Sequence, residues 1–378
     1  MATTEGDELR RAVREFLAVT SPSSRVRELM ATEHGFDDVT WRQMARELGL
    51  HGIAVPERYG GAGAGMAELA IVFEEMGAAL LCAPFFSTIG LAAQALLCSG
   101  DTDAMGDYLP GIVDGSITAT LVLNGRLGAW DPRAVTLTAH AGHRISGEAA
   151  LALDGHTANI VLVAANSESG PSLYAVEGDA AGLTREALTT LDRTRKVARL
   201  HFDNVPGRRI GPQGAALHGL VRACDLALVA LAAEQVGAAQ RCLDMAVSYA
   251  KQRIQFGRAI GSFQAVKHRC ADMLVLVEGA RSAAVRAAQV SDGPELPVTA
   301  SVAKLACSEA LLQVALDNMR IHGGIGFTWE HDAHLYVRRA KASELILGSP
   351  DYHAERLAAL VTTHVNTRKD DRDHFVLS

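Results

Sequence analysis

Arg253-Ile254-Gln255-Phe256-Gly257, followed by Ile260, Phe263 and Gln264, separates two long helical stretches, and its reading decides the fold. Before it, from about Gly214 to Gln252, apolar residues recur at helical spacing: Leu220, Cys224, Leu228, Leu231, Ala239, Leu243 and Val247. After it a second helix is predicted from about Phe263 to Val290, ending at Ser291-Asp292-Gly293-Pro294. A third runs from about Val298 to Ile321 and is interrupted at Gly323-Gly324-Ile325-Gly326. Two shorter helices follow, and the charged tail from Arg368 to Ser378 reads as loose. Long amphipathic helices in succession predict an up-and-down bundle.

Upstream, the character changes twice. Over residues 116–210, β-branched or alternating runs are separated by Gly, Asp and Asn: Thr118 to Leu123, Ala134 to Ala139, Ile160 to Ala164, Ser172 to Val176 and Val197 to Phe202. That pattern predicts a small antiparallel sandwich or barrel. Residues 1–115 return to helical spacing, with Leu9, Val13, Phe16 and Leu17, then Trp41, Met44, Ala45 and Leu48. Further helices are predicted from about Ala67 to Gly77 and Ile89 to Cys98, and Tyr108 to Gly115 closes the segment. The fold class is therefore mainly α with a central β domain. Three domains are expected: 1–115 N-terminal helical, 116–210 β, and 211–378 helical bundle with the oligomer contacts.

Composition narrows the function. The chain has 378 residues, 48% of them apolar and 21% charged, as in an ordinary globular protein. A net charge of -7 without basic runs argues against a nucleic-acid partner. No uninterrupted apolar run reaches about 18 residues, so no membrane span is expected. The six cysteines lack metal-ligand spacing and read as reduced core thiols of a cytoplasmic protein, so no metal is expected. Two features point to a phosphate-bearing ligand. Arg253, at a helix end beside a Gly turn, has a guanidinium fork that matches phosphate oxygens. The Gly323-Gly324 break lets a ligand approach backbone N–H groups. Taken alone, each also suits a plainer role, as a helix-capping Arg and a simple turn.

Three motifs, in order, resemble those of the acyl-CoA dehydrogenases. They are Gly49-Leu50-His51-Gly52-Ile53-Ala54-Val55-Pro56 with Tyr59-Gly60-Gly61-Ala62-Gly63, the Arg253 to Gln264 turn, and Ile321-His322-Gly323-Gly324-Ile325-Gly326-Phe327. The resemblance covers about residues 5–360. It implies the fold of that family and an FAD shared across a subunit interface. It also implies contacts from Arg253, Phe256, Gln264, Arg320, His322, Gly323 and Gly324 to the FAD of a neighbouring chain. Arg320 stands where the family usually has Gln, and an Arg suits a diphosphate.

The same resemblance exposes losses. The family's carboxylate base removes the α-proton of an acyl thioester while flavin takes the β-hydrogen as hydride. Its two known positions fall here on Leu347 and Ala227, in Ala340 to Pro350 and Cys224 to Leu228. Glu344 and Asp351 are the nearest acids that could stand in as a relocated base. The loops that hold the flavin ring fall on Leu121 to Gly128 and Leu151-Ala152-Leu153-Asp154-Gly155, without their hydroxyls and Trp. The pattern resembles the non-catalytic β subunit of actinobacterial α2β2 acyl-CoA dehydrogenases. The implied partner is a catalytic paralogue holding the acyl-CoA, and the implied substrate a CoA thioester, including steroid side chains. The alternatives are a homo-oligomeric dehydrogenase with a moved base and a non-redox scaffold of the same fold.

Overall fold

The computed structural model describes residues 4–123 and 134–374, the side chains of residues 4 and 363–374 excepted. Six helices come first: α1 (Thr4–Thr20), α2 (Ser23–Ala31), α3 (Asp38–Arg46), α4 (Met66–Ala79), α5 (Ala93–Ser99) and α6 (Thr102–Val113). A π-helical turn, Phe86–Ala92, runs directly into α5. Eight strands follow: β1 (Ala119–Val122), β2 (Thr138–His140), β3 (Arg144–Leu153), β4 (Ile160–Ser167), β5 (Gly170–Glu177), β6 (Leu183–Leu188), β7 (Val197–Pro206) and β8 (Arg208–Ile210). Then come α7 (Leu217–Gln252), the two-strand hairpin β9 (Ile254–Gln255) and β10 (Arg258–Ala259), α8 (Gln264–Gln289), α9 (Leu296–His322), α10 (Ala333–Leu345) and α11 (Pro350–His374).

The sheet has the order β6-β7-β3-β2-β4-β5-β8, with β1 also on β4. It is not wholly antiparallel as expected, because β1 and β2 both run parallel to β4. Its two faces explain the apolar run of β4. Ile160, Leu162 and Ala164 join the main core with the helices, while Val161, Val163 and Ala165 fill the interior of the sheet. β5 alternates likewise, with Leu173 and Ala175 on one side and Tyr174 and Val176 on the other.

Three strands of the sheet, β3, β6 and the short β8, are absent from the sequence reading. In β3 the register shifts between Ile145 and Gly147 and between Ala149 and Ala152. Its inward residues Ile145, Ala149 and Ala152 therefore lose a period of two. β6 pairs only with β7 at the sheet's edge and reads Leu-Thr-Arg-Glu-Ala-Leu, too polar to stand out. The segment Ala134 to Ala139 yields only the short β2, and Tyr108 to Val113 belongs to α6 despite Pro110. α11 runs to His374, past the start of the tail expected to be loose; residues 375–378 lie outside the described residues.

α7 is the axis of the molecule, about 54 Å long at the helical rise. Its middle, Ala223 to Ala239, is buried all round, beyond the single seam read from the sequence. α4 meets it backbone to backbone. A Cβ on Gly237 would lie 1.7 Å from the Glu74 carbonyl oxygen, and one on Gly77 1.9 Å from that of Glu234. Glycine is required at both for the close approach. α9 packs against α7, α8, α10 and α11. Among the described residues it is the one helix, extended to Leu296–Phe327, whose length and apolar composition would let it cross a membrane. Here it carries the buried Lys304 and forms the bundle core.

Candidate functional site

The ends of α7 and α9 and the start of α8 meet at one end of the bundle. The rings of Tyr249 and His322 lie 4.4 Å apart, which joins the Arg253 turn to the glycine break. Arg253 is the C-cap of α7, its N–H donating to the Tyr249 carbonyl at 2.9 Å, and its side chain is exposed. The hairpin turns on Phe256 (φ +52°) and Gly257 (φ +75°). Left-handed backbone is rare for an aromatic residue. Phe256 adopts it while 91% exposed, edge-on to Phe263 at 6.1 Å. The Arg258 guanidinium covers Phe263 at 4.1 Å, and Gln264 opens α8 with its side chain exposed.

Across from the hairpin, half-exposed Arg320 bonds Asp317 at 2.9 Å. Gly323 has φ +65°, and a Cβ on Gly323 or Gly324 would meet nothing within 4 Å. The break therefore faces open space rather than a crowded turn. His322 is turned inward: Nδ1–H donates to the Asn318 carbonyl at 2.8 Å, and its ring stacks on Tyr249 and on His331 at 4.2 Å. Only its backbone borders the break. Burial pulls the pKa of His322 down. Around this end Ile254, Phe256, Ile325, Phe327 and Trp329 expose large apolar surface, of the kind that marks interaction sites.

Both positions read as lost bases are apolar and buried. Leu347 is 1% exposed and Ala227 fully buried, in the same core. Leu347 holds φ +61°, and its carbonyl accepts from His353 Nε2 at 2.8 Å. Neither nearby acid is buried beside them. Glu344 pairs with Lys341 at 2.8 Å along α10, and Asp351 is exposed in the first turn of α11. Asp225 is buried but gripped by Arg356, with Nη1 2.6 Å from Oδ1 and Nη2 2.9 Å from Oδ2. Burial pushes its pKa up against that pairing. Arg356, on α11, was not singled out from the sequence.

On the sheet, Leu151 is exposed, Ala152 is buried and Leu153 is half-buried; none carries a polar side chain for a flavin edge. Of the other loop expected to hold a flavin, Leu121 to Leu123 are buried, and 124–128 lie outside the described residues. Asp154 points away into the helices, accepting from Ser87 Oγ at 2.6 Å. Burial raises its pKa to about 6, against the Ser87 bond and the charges of Arg195, Arg339 and Lys196. A folded-state pKa above the ordinary 3.8 means that the protonated form is preferred in the native state. Its stabilising contribution is full below about pH 4 and is lost as pH rises through about 6. Asp154→Asn keeps the Ser87 acceptor and tolerates φ +50°. It is expected to raise stability at pH 8 by on the order of 1–3 kcal/mol relative to wild type. Near pH 4 the gain disappears, and denaturation midpoints at the two pH values check the sign.

A second polar centre went unread in the sequence. Arg195, on the β6–β7 connection, donates to both Glu234 oxygens at 2.5 and 2.6 Å. Arg339 of α10 lies 2.6 Å from Glu234 and 2.7 Å from Asp192. All four are buried, two of each sign. Lys304 donates to the Ser343 carbonyl at 2.5 Å, and burial lowers its pKa to about 7. The available signal was a lone charge inside an apolar helical run, Glu234 after Leu228 to Ala233 and Lys304 after Ala303. Such a charge is almost never fully buried without a partner.

Fold and site together define a helical bundle joined to a small sheet, with an open, arginine-bearing end, and comparison with known proteins gives the family. The models for the acyl-CoA dehydrogenase N-terminal and C-terminal domains match residues 3–116 and 224–362. Acyl-CoA dehydrogenase IpdE2 of Mycobacterium tuberculosis (strain ATCC 25618 / H37Rv) is 37% identical over 359 residues, 93% of this chain and 96% of that protein. Among solved structures, a variant of the Tcur3481–Tcur3483 steroid ACAD superposes with a TM-score of 0.88 at 34% identity, covering 96% of this chain and 99% of that one. The ChsE4–ChsE5 complex from Mycobacterium tuberculosis gives 0.87 at 28%, covering 96% and 98%. The chain belongs to the acyl-CoA dehydrogenase family, whose members are FAD-dependent oxidoreductases.

Proposed function

We propose that this chain is the non-catalytic subunit of a heteromeric acyl-CoA dehydrogenase, cytoplasmic and divided into domains at about 1–115, 116–210 and 211–378. The observation that carries the reading is Leu347, buried in the core with Ala227 where a base is needed. No described acid near these positions is free to take an α-proton: Glu344 is paired, Asp225 is gripped by Arg356, and Asp351 faces solvent. That weighs against the moved-base alternative.

The bundle end fits the phosphate half of a dinucleotide. Arg253 and Arg320 offer guanidinium groups, Phe256 an exposed ring, Gln264 an amide, and Gly323 and Gly324 open backbone, with His322 holding the break from behind. Among the described residues of the chain's own sheet, Leu151 to Leu153 and Leu121 to Leu123 offer no polar side chain to a flavin's edge. The FAD is therefore assigned to a catalytic paralogue, which also holds the acyl-CoA; bound there, it accepts the β-hydrogen as hydride. The exposed apolar side chains around the hairpin form the surface that this paralogue covers. Two of the similar structures carry paired names, one a steroid ACAD and the other a two-protein complex. They support a paralogue partner and a CoA thioester substrate of the steroid side-chain class.

In the co-expressed complex, Arg253→Ala is expected to weaken FAD retention by on the order of 1.5–3 kcal/mol, the worth of one charge-assisted contact. Flavin release from the assembled variant measures it. An unchanged release would count against the assignment of this end to the dinucleotide.

A further inference from the structure

We infer that Asp317 holds Arg269 and Arg320 together as a two-guanidinium site for a diphosphate group, with Arg269 a binding residue and Asp317 a positioning residue. The inference rests on the proposal that this end of the bundle faces a neighbour's dinucleotide. Arg320 and Asp317 lie three residues apart on α9, and on geometry alone they make an ordinary helix-surface pair worth little. Three features make it more. The Asp317 side chain is only 9% exposed, while the arginines are 50% and 45% exposed. The second arginine comes from a different helix: Arg269, in the second turn of α8, places Nη1 3.6 Å from Asp317 Oδ1. Gln313 Nε2 donates to the other oxygen at 2.7 Å and fixes the rotation of the carboxylate.

One carboxylate cannot neutralise two guanidinium groups, so the trio keeps a net positive charge facing solvent. Each guanidinium has five donors in a rigid fork, and Asp317 occupies only the inner edge. Both Nη1 atoms approach the same oxygen, Asp317 Oδ1, at 2.9 and 3.6 Å, which places the two forks next to one another, and a diphosphate carries oxygens for each. Two ligands could bring that group: the FAD of the neighbouring chain, or the CoA moiety of the thioester.

The test uses the co-expressed complex. Arg269→Ala is expected to weaken retention of the diphosphate ligand roughly ten- to hundredfold, and Arg269→Lys to restore part of it. Asp317→Asn raises the positive charge, which by attraction alone would tighten binding; the positioning role predicts weaker binding instead. Faster flavin release in these variants names FAD as the source. A raised KM for acyl-CoA but not for the matching acyl-pantetheine, which lacks the diphosphate, names CoA. If neither readout moves while Arg253→Ala still loosens FAD, the two-arginine site is overturned and the subunit proposal stands. If Arg253→Ala also has no effect, both fall. Should the variants fail to assemble, the wild-type chain decides. Inorganic pyrophosphate is expected to protect Arg269 and Arg320 from phenylglyoxal, read by peptide mass, and equal modification with and without it overturns the site.

Discussion

Leu347→Glu is expected to leave the lone chain without turnover on any acyl-CoA thioester, and to destabilise it by on the order of 2–4 kcal/mol. The substitution restores the carboxylate at the family's usual base position, yet the surroundings are those of a packed core. Leu347 is 1% exposed, in left-handed backbone whose carbonyl is already bonded to His353. A carboxyl placed there loses its hydration, and its pKa rises until it is protonated at neutral pH. A protonated acid cannot accept the α-proton, and on the subunit reading proposed above the flavin that takes the hydride belongs to the partner. Acyl-CoA-dependent dye reduction and the denaturation midpoint measure the two halves. Turnover by the purified variant would sink the claim that both flavin and base have been lost.

Glu234→Ala carries a comparable structural penalty, on the order of 3–5 kcal/mol, because it removes the ion-pair partner of buried Arg195 and leaves buried Arg339 paired with Asp192 alone. The network ties the sheet's β6–β7 connection to α7 and α10, so the loss is expected to appear as loosening of the sheet from the bundle. A paired replacement separates charge from packing. Arg195→Met with Glu234→Met removes one charge of each sign and leaves the Arg339–Asp192 pair intact. It is expected to cost less than Glu234→Ala alone, with thermal midpoints as the readout. A double variant worse than the single one would show that Arg195 and Glu234 contribute more than mutual neutralisation.

What could be read in the sequence follows from what leaves a local trace. The bundle was legible because Leu220 to Val247 repeats a helical seam over many turns, and β4 and β5 because their apolar runs are uninterrupted. β3 was not, since its bulges scatter Ile145, Ala149 and Ala152 out of register. The turn from Arg253 to Gln264 was legible as a break between helices, but not the left-handed Phe256 that projects from it. The Arg195–Glu234–Arg339–Asp192 network joins residues far apart in the chain, and no spacing rule announces such partners. Likewise nothing local in Arg269 or Asp317 tells that the fold brings them together. His322 adjoins the glycine break in the sequence, but the inward turn of its ring depends on Tyr249 one helix away. That Leu347 and Ala227 stand where the family motif carries a carboxylate was legible only by comparison with that motif, because an apolar residue on its own gives no sign of such a position.

The most direct test of the subunit reading is flavin per chain, measured in the purified lone protein and in complexes with co-expressed acyl-CoA dehydrogenase paralogues. The reading predicts a colourless or substoichiometric lone chain, and about one FAD per heterodimer once a competent paralogue is present. One FAD per subunit in the lone chain, reduced by an acyl-CoA, would contradict it and leave an autonomous dehydrogenase with a base outside both usual positions.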